Sequence, residues 1–117
     1  MHEFSICERI VEAVLGELSR LHPAPKRLCK VRVVVGRLHQ IVPESLTLAY
    51  ELLTRETAAE GSEMELVQAP VVGKCRSCGW SGEIHLPNFC CAVCGMLDVE
   101  LVQGKELYLE HLEVELD

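Results

Sequence analysis

The chain has 117 residues, 49% of them apolar, enough for one small domain or two very small ones sharing a core. No stretch approaches the ~20 uninterrupted apolar residues of a membrane span. Eleven Lys plus Arg against eighteen Asp plus Glu leave a net charge of −7, and no basic cluster exceeds Lys26-Arg27, so the basic surface that a nucleic-acid binder needs is missing.

Seven cysteines stand out. No basic segment leads from Met1 into an apolar run, so a signal peptide is not expected. An odd cysteine count without an export signal argues against a disulfide scaffold and for thiolate chemistry in a reducing cytoplasm.

In chain order, the first predicted element is a helix. Ser5 and Glu8 are spaced as a capping box. Cys7, Ile10, Val11, Val14, Leu15, Leu18 and Leu21 then recur at helical spacing, until Pro23 and Pro25 stop the run. Leu28 to Val35 predicts a half-buried strand, with Cys29, Val31, Val33 and Val35 on one side, Lys30 and Arg32 on the other, and Gly36 at its end. Pro43 and Glu44 suit a first helical turn, opening a second helix with Leu46, Ala49, Tyr50 and Leu53 as its stripe. Gly61 marks a turn, and Glu63 to Val72 predicts a second strand. Residues 74 to 95 hold cysteines, glycines and few apolar side chains. Leu97 to Val102, a turn at Gly104 and a strand from about Glu106 to Leu116 complete the chain. The last strand slips phase between Leu109 and Leu112, which a bulge near Glu110 and His111 would reconcile. The fold class expected from this order is α+β: two helices packed on a small, mostly antiparallel sheet, with an inserted four-cysteine, zinc-ribbon-like module.

The strongest chemical signal is Cys75-x-x-Cys78 followed, twelve residues on, by Cys91-x-x-Cys94. Each pair brings two sulfurs within about 2.3 Å of one ion, and two pairs close a tetrahedral shell. Gly79 and Gly95 follow the pairs and allow the sharp turn that aims backbone N–H groups at the thiolates. Four thiolates with no open position describe a structural site, and this donor set favours Zn(II), with iron the weaker alternative. Redox dithiols are the bland reading, but they normally occur singly on a βαβ frame. Trp80, Ile84, Leu86 and Phe89 are expected to form the module's small core. Cys90 adjoins Cys91 and would give a Cys-x-x-x-Cys spacing that breaks the knuckle, so Cys91 is assigned. Cys7 and Cys29 read as packing residues. His22, His39, His85 and His111 show no ligand spacing to one another.

At the N-terminus, the amine of Met1, the backbone nitrogen of His2 and its imidazole Nδ1 can reach one metal through adjoining small rings. Glu3 adds a backbone nitrogen or a carboxylate. Such nitrogen-rich planar ligation suits Ni(II) or Cu(II) better than zinc.

Met1-His2-Glu3, the amphipathic helix, Val31-x-Val33-x-Val35-Gly36, Pro43-Glu44-Ser45-Leu46, Thr57-Ala58-Ala59-Glu60-Gly61 and the two Cys-x-x-Cys-Gly pairs together resemble the HypA/HybF family of hydrogenase maturation proteins. The resemblance runs over essentially the whole chain. It implies a nickel metallochaperone without catalysis of its own, which helps insert transported Ni(II) into the [NiFe]-hydrogenase large subunit, and in some organisms supports urease. It further implies work with a nickel-binding GTPase, His2 as the essential nickel ligand with Glu3 and the Met1 amine contributing, and structural zinc on Cys75, Cys78, Cys91 and Cys94. This chain has Ala92 where many members carry proline, and glycine after each pair where some have histidine. The expected division is a nickel-binding domain over 1–70 plus 106–117 and a zinc-binding domain over 71–105, with homodimer formation left open. The competing class, a zinc-ribbon nucleic-acid or transcription module, fits poorly with the −7 charge. No nucleophile elbow, phosphate loop or His-Glu-His ligand set supports an enzyme.

Overall fold

The computed structural model describes residues 2–117, with elements in the order α1 (His2–Ser19), β1 (Arg27–Gly36), a short 3-10 turn (Arg37–His39), α2 (Pro43–Leu53), β2 (Glu63–Ala69), β3 (Val72–Cys75), β4 (Ser81–Glu83), β5 (Val99–Gln103) and β6 (Leu107–Glu115). The strands make two three-stranded sheets, β2-β1-β6 and β4-β3-β5. The α+β class and the return of the last strand to the first sheet agree with the sequence reading. The chain gathers into two compact units. One holds the residues up to Val34, Ile41–Val67 and Tyr108–Asp117, and the other holds Val35–Gln40 and Gln68–Leu107.

In the first unit, α1 and α2 pack against each other. The face that α1 buries is Ile6, Cys7, Ile10, Val11 and Val14, a stripe at helical spacing. α2 buries Leu46, Ala49 and Tyr50. Its first turn carries Pro43, whose missing N–H costs nothing there. β1 is the middle strand of its sheet, and its Val31 and Val33 are fully buried in this unit. Val34 is buried as well, so the second half of this strand is covered on both faces, and with Leu28 buried and Cys29 only half-buried the alternation read from sequence shows only over residues 30–33.

Three local readings differ. The helix starts at His2, three residues before the capping box, so Ser5 lies inside it. The early start brings Glu3 and Ile6 onto the packed face. The single strand expected over 63–72 is two, separated at Pro70 and Val71, and they serve different sheets. Proline cannot donate to a ladder and breaks the run. Along β6, the half-buried residues are 107, 109 and 111, then 112, 114 and 115, so the burial phase shifts at His111 and Leu112.

In the second unit, β3 pairs antiparallel with both β4 and β5. Its core is made by close backbone approach: a Cβ on Gly73 would stand 2.4 Å from Val99 Cγ1, and one on Gly82 would stand 2.8 Å from the Trp80 indole. Val71, Cys75, Ile84 and Cys91 are buried there. Phe89, expected in this core, is 39% exposed.

Candidate metal sites

The two cysteine pairs sit on matching turns. Gly79 N–H donates to the Cys75 carbonyl and Gly95 N–H to the Cys91 carbonyl, both at 3.0 Å. Cys75 N–H donates to the Trp80 carbonyl at 2.7 Å, and Cys91 N–H to the Met96 carbonyl at 2.9 Å. Gly79 and Gly95 have φ of 82° and 74°, the left-handed region where a side chain is strained. These turns bring the sulfurs of Cys75, Cys78, Cys91 and Cys94 within 4.8 Å of one another. Cys75 Sγ lies 3.6 Å from Cys94 Sγ, and Cys78 Sγ 3.5 Å from Cys91 Sγ. Sulfurs at about 2.3 Å from a tetrahedral ion stand about 3.8 Å apart, so the cluster fits one such ion. Among the described residues, this is the one group of His, Cys, Asp and Glu that could hold a metal, and neither Cys90 nor any histidine is part of it.

The electrostatics point the same way. Burial disfavours the Cys91 thiolate, but the N–H groups of Cys94 and Val93, helped by the thiols of Cys78 and Cys94, outweigh it and bring Cys91 down to about 6. The N–H of Cys78, with that of Ser77, likewise lowers Cys75. Cys94 receives the N–H of Met96, yet burial and the sulfurs of Cys75, Cys91 and Cys78 push it up to about 12. Cys78 receives the N–H of Trp80 but also ends raised, by the Cys91 thiol, burial and the Cys75 thiol. The first cysteine of each pair is shifted toward the thiolate and the second toward the protonated thiol. Four thiolates this close need a cation among them to ionise together.

At the other candidate end, His2 is the exposed first residue of α1, and Met1 lies outside the described residues. Glu3 is half-buried, and its Oε2 accepts the N–H of Val42 at 2.9 Å. That bond, with a second from its own N–H, holds its carboxyl below the usual range. Val42 is the N-cap of α2 and offers no capping side chain, so a carboxylate from another helix sits at this helix's positive end. The sequence reading missed this partner because a main-chain N–H leaves no residue-type signal. The one clue was a valine before Pro43, where a capping side chain was due. Three of the other four histidines have protein partners elsewhere: His39 Nε2 lies 3.0 Å from the Lys105 carbonyl, His85 lies beside Glu83, and His111 lies beside Glu110 and Glu113.

Residues 1–114 match a family model described as hydrogenase/urease nickel incorporation, metallochaperone, hypA. The chain belongs to the HypA family. A hydrogenase maturation factor HypA from Desulfitobacterium hafniense is 38% identical, with 98% of this chain and 99% of that protein covered. One from Nostoc punctiforme is 34% identical, with 98% and 96% covered. The solution structure of the nickel metallochaperone HypA from Helicobacter pylori superposes with a TM-score of 0.65 at 21% identity, covering all of both chains, which shows the shared fold. The family assignment and the sulfur cluster together make Cys75, Cys78, Cys91 and Cys94 the protein's candidate structural metal site.

Proposed function

We propose that this chain carries Ni(II) on its N-terminus and delivers it to the large subunit of [NiFe]-hydrogenase during maturation, with urease a second recipient in organisms that have it. The observation that carries this reading is the whole-length match to a nickel-incorporation family by a chain whose second residue is His2. The Met1 amine, the His2 backbone and imidazole nitrogens and Glu3 supply the nickel ligands. A nickel-binding GTPase is the working partner, and the cytoplasm is the compartment. The protein holds and releases an ion and does no catalysis of its own.

Zinc is the resident metal on Cys75, Cys78, Cys91 and Cys94. When bound, it neutralises the thiolates and ties the two knuckles into one module. The chain's own part is to present four sulfurs at matching turns and to leave no position for water, which suits a structural ion. The nickel-binding part is drawn as residues 1–70 plus 106–117 and the zinc-binding part as 71–105. The zinc-ribbon nucleic-acid reading draws no support from a chain of net charge −7.

The test is a Ni(II) titration of the zinc-loaded protein with its natural N-terminus, beside His2→Ala and a variant with one extra residue before Met1. Both changes are expected to weaken nickel binding by more than about ten-fold, since each removes a donor from the same chelate. Unchanged affinity in His2→Ala would dispose of the N-terminal site.

A further inference from the structure

The Glu3 carboxylate is committed to protein. Its Oε2 accepts the Val42 N–H at 2.9 Å, across 39 residues of chain. One helical turn further along both helices, the Cys7 thiol faces the Leu46 carbonyl at 3.9 Å. Residues 3 and 7 are one turn apart on α1, as 42 and 46 are on α2, where Leu46 N–H donates to the Val42 carbonyl at 3.0 Å. The two contacts are therefore successive rungs of one helix–helix seam, and Cys7 and Leu46 are both fully buried in it. Glu3 is the outermost rung. Its charge also answers a need of α2, which starts with a residue lacking a cap and a proline lacking an N–H.

We infer that Glu3 is a positioning residue for nickel binding: its carboxylate latches the first turn of α1 onto the start of α2, fixing the backbone that carries His2, and is not itself a nickel ligand. This inference rests on the proposed nickel site at His2, and it resolves the choice at Glu3 between a carboxylate ligand and a backbone nitrogen in favour of the nitrogen. A carboxylate that ligated nickel would have to leave Val42 and strip the start of α2 of its counter-charge. Fixing the turn beforehand instead spares the ion the cost of ordering the chain around it.

The experiment uses the full chain with its natural N-terminus, loaded with zinc, and titrates Ni(II) by calorimetry and by its visible absorption. Glu3→Ala is expected to weaken nickel about ten-fold, the scale of one lost charge-assisted hydrogen bond. Glu3→Gln keeps an oxygen acceptor for the Val42 N–H, and it is expected to bind within about three-fold of the parent, because the neutral bond loses only part of that strength. The nickel absorption bands should be the same in all three proteins, because the donor set is unchanged. In the zinc-loaded, nickel-free state, the Val42 amide resonance should move in Glu3→Ala and far less in Glu3→Gln. Glu3→Gln losing as much affinity as Glu3→Ala, with altered bands, would make the carboxylate a ligand and overturn the inference. So would Glu3→Ala binding as tightly as the parent. If Glu3→Ala fails to fold, Glu3→Gln alone decides, through its affinity and its bands. His2→Ala run alongside separates the two levels: nickel binding unaffected there removes the site itself.

Discussion

Cys7 is fully buried between α1 and α2, and burial pushes its thiol up to about 11. Below that pH it stays protonated, and the thiolate is the reactive form. In the folded, metal-loaded protein at pH 8, Cys7 is expected to be the slowest thiol to alkylate, behind half-buried Cys29 and Cys90, and to react only when the chain opens. Mass spectrometry of peptides after timed labelling reads this directly, and early modification of Cys7 would show that the α1–α2 seam is loose. The sign of the linkage follows from the raised value. The contribution is intact below the ordinary thiol value near 9 and is lost as pH climbs toward 11, because only the unfolded chain holds the thiolate in water. Cys7 was legible in the sequence as a packing residue because it fell on an apolar stripe of period 3.6. Tyr50, on the same kind of stripe, was legible as core, but the 2.7 Å bond from its hydroxyl to Ser62 was not. Tyr50→Phe leaves the Ser62 hydroxyl its bond to the Ala59 carbonyl and is expected to cost about 1 kcal/mol in a denaturant melt, the net worth of one hydrogen bond.

At the scale of elements, the sequence reads well where one face is buried and badly where neighbours decide. The core of α1 follows its periodicity, yet its start does not follow its capping box. The Glu3 bond to Val42 is a tertiary contact, and it draws the helix three residues further back than the local signal at Ser5. Pro70 is visible in sequence, but only the assembled sheets show that the strands on either side serve different partners. Two glycines make opposite predictions. Gly16 lies inside α1 with nothing within 4 Å of where a Cβ would stand. Gly16→Ala is expected to stabilise the protein by about 0.5–1 kcal/mol, through helix propensity and a stiffer unfolded chain. Gly36 ends β1 with a would-be Cβ 1.9 Å from the Gly104 carbonyl oxygen, while its N–H donates to the Glu106 carbonyl at 2.7 Å. Gly36→Ala must move backbone to fit, and it is expected to lower the melting midpoint clearly while Gly16→Ala raises it. Equal midpoints for the pair would contradict both arguments.

For the whole molecule, the two compact units differ in what holds them. The first has two helices and the valines of β1 as a conventional core. The second has strands of three to five residues, a few buried side chains and four cysteine sulfurs. So small a set of apolar contacts cannot offset the ordering of its loops, and the metal must supply the difference. That much was legible from the cysteine spacing. The exposure of Phe89 was not, because an aromatic residue type signals a core position without saying whether so small a core has room for it. Removal of the metal by a chelator therefore separates the units by signal. Trp80 is the only tryptophan, half-buried over Gly82 in the second unit. Its fluorescence is expected to shift to longer wavelength as the metal leaves. Far-UV circular dichroism should keep most of its helical signal, since α1 and α2 lie in the first unit. Cys91→Ser, which removes one sulfur of the cluster, should reproduce the fluorescence change without chelator. If the helical signal instead collapses in step with the Trp80 emission, the metal holds both units and the first has no stability of its own.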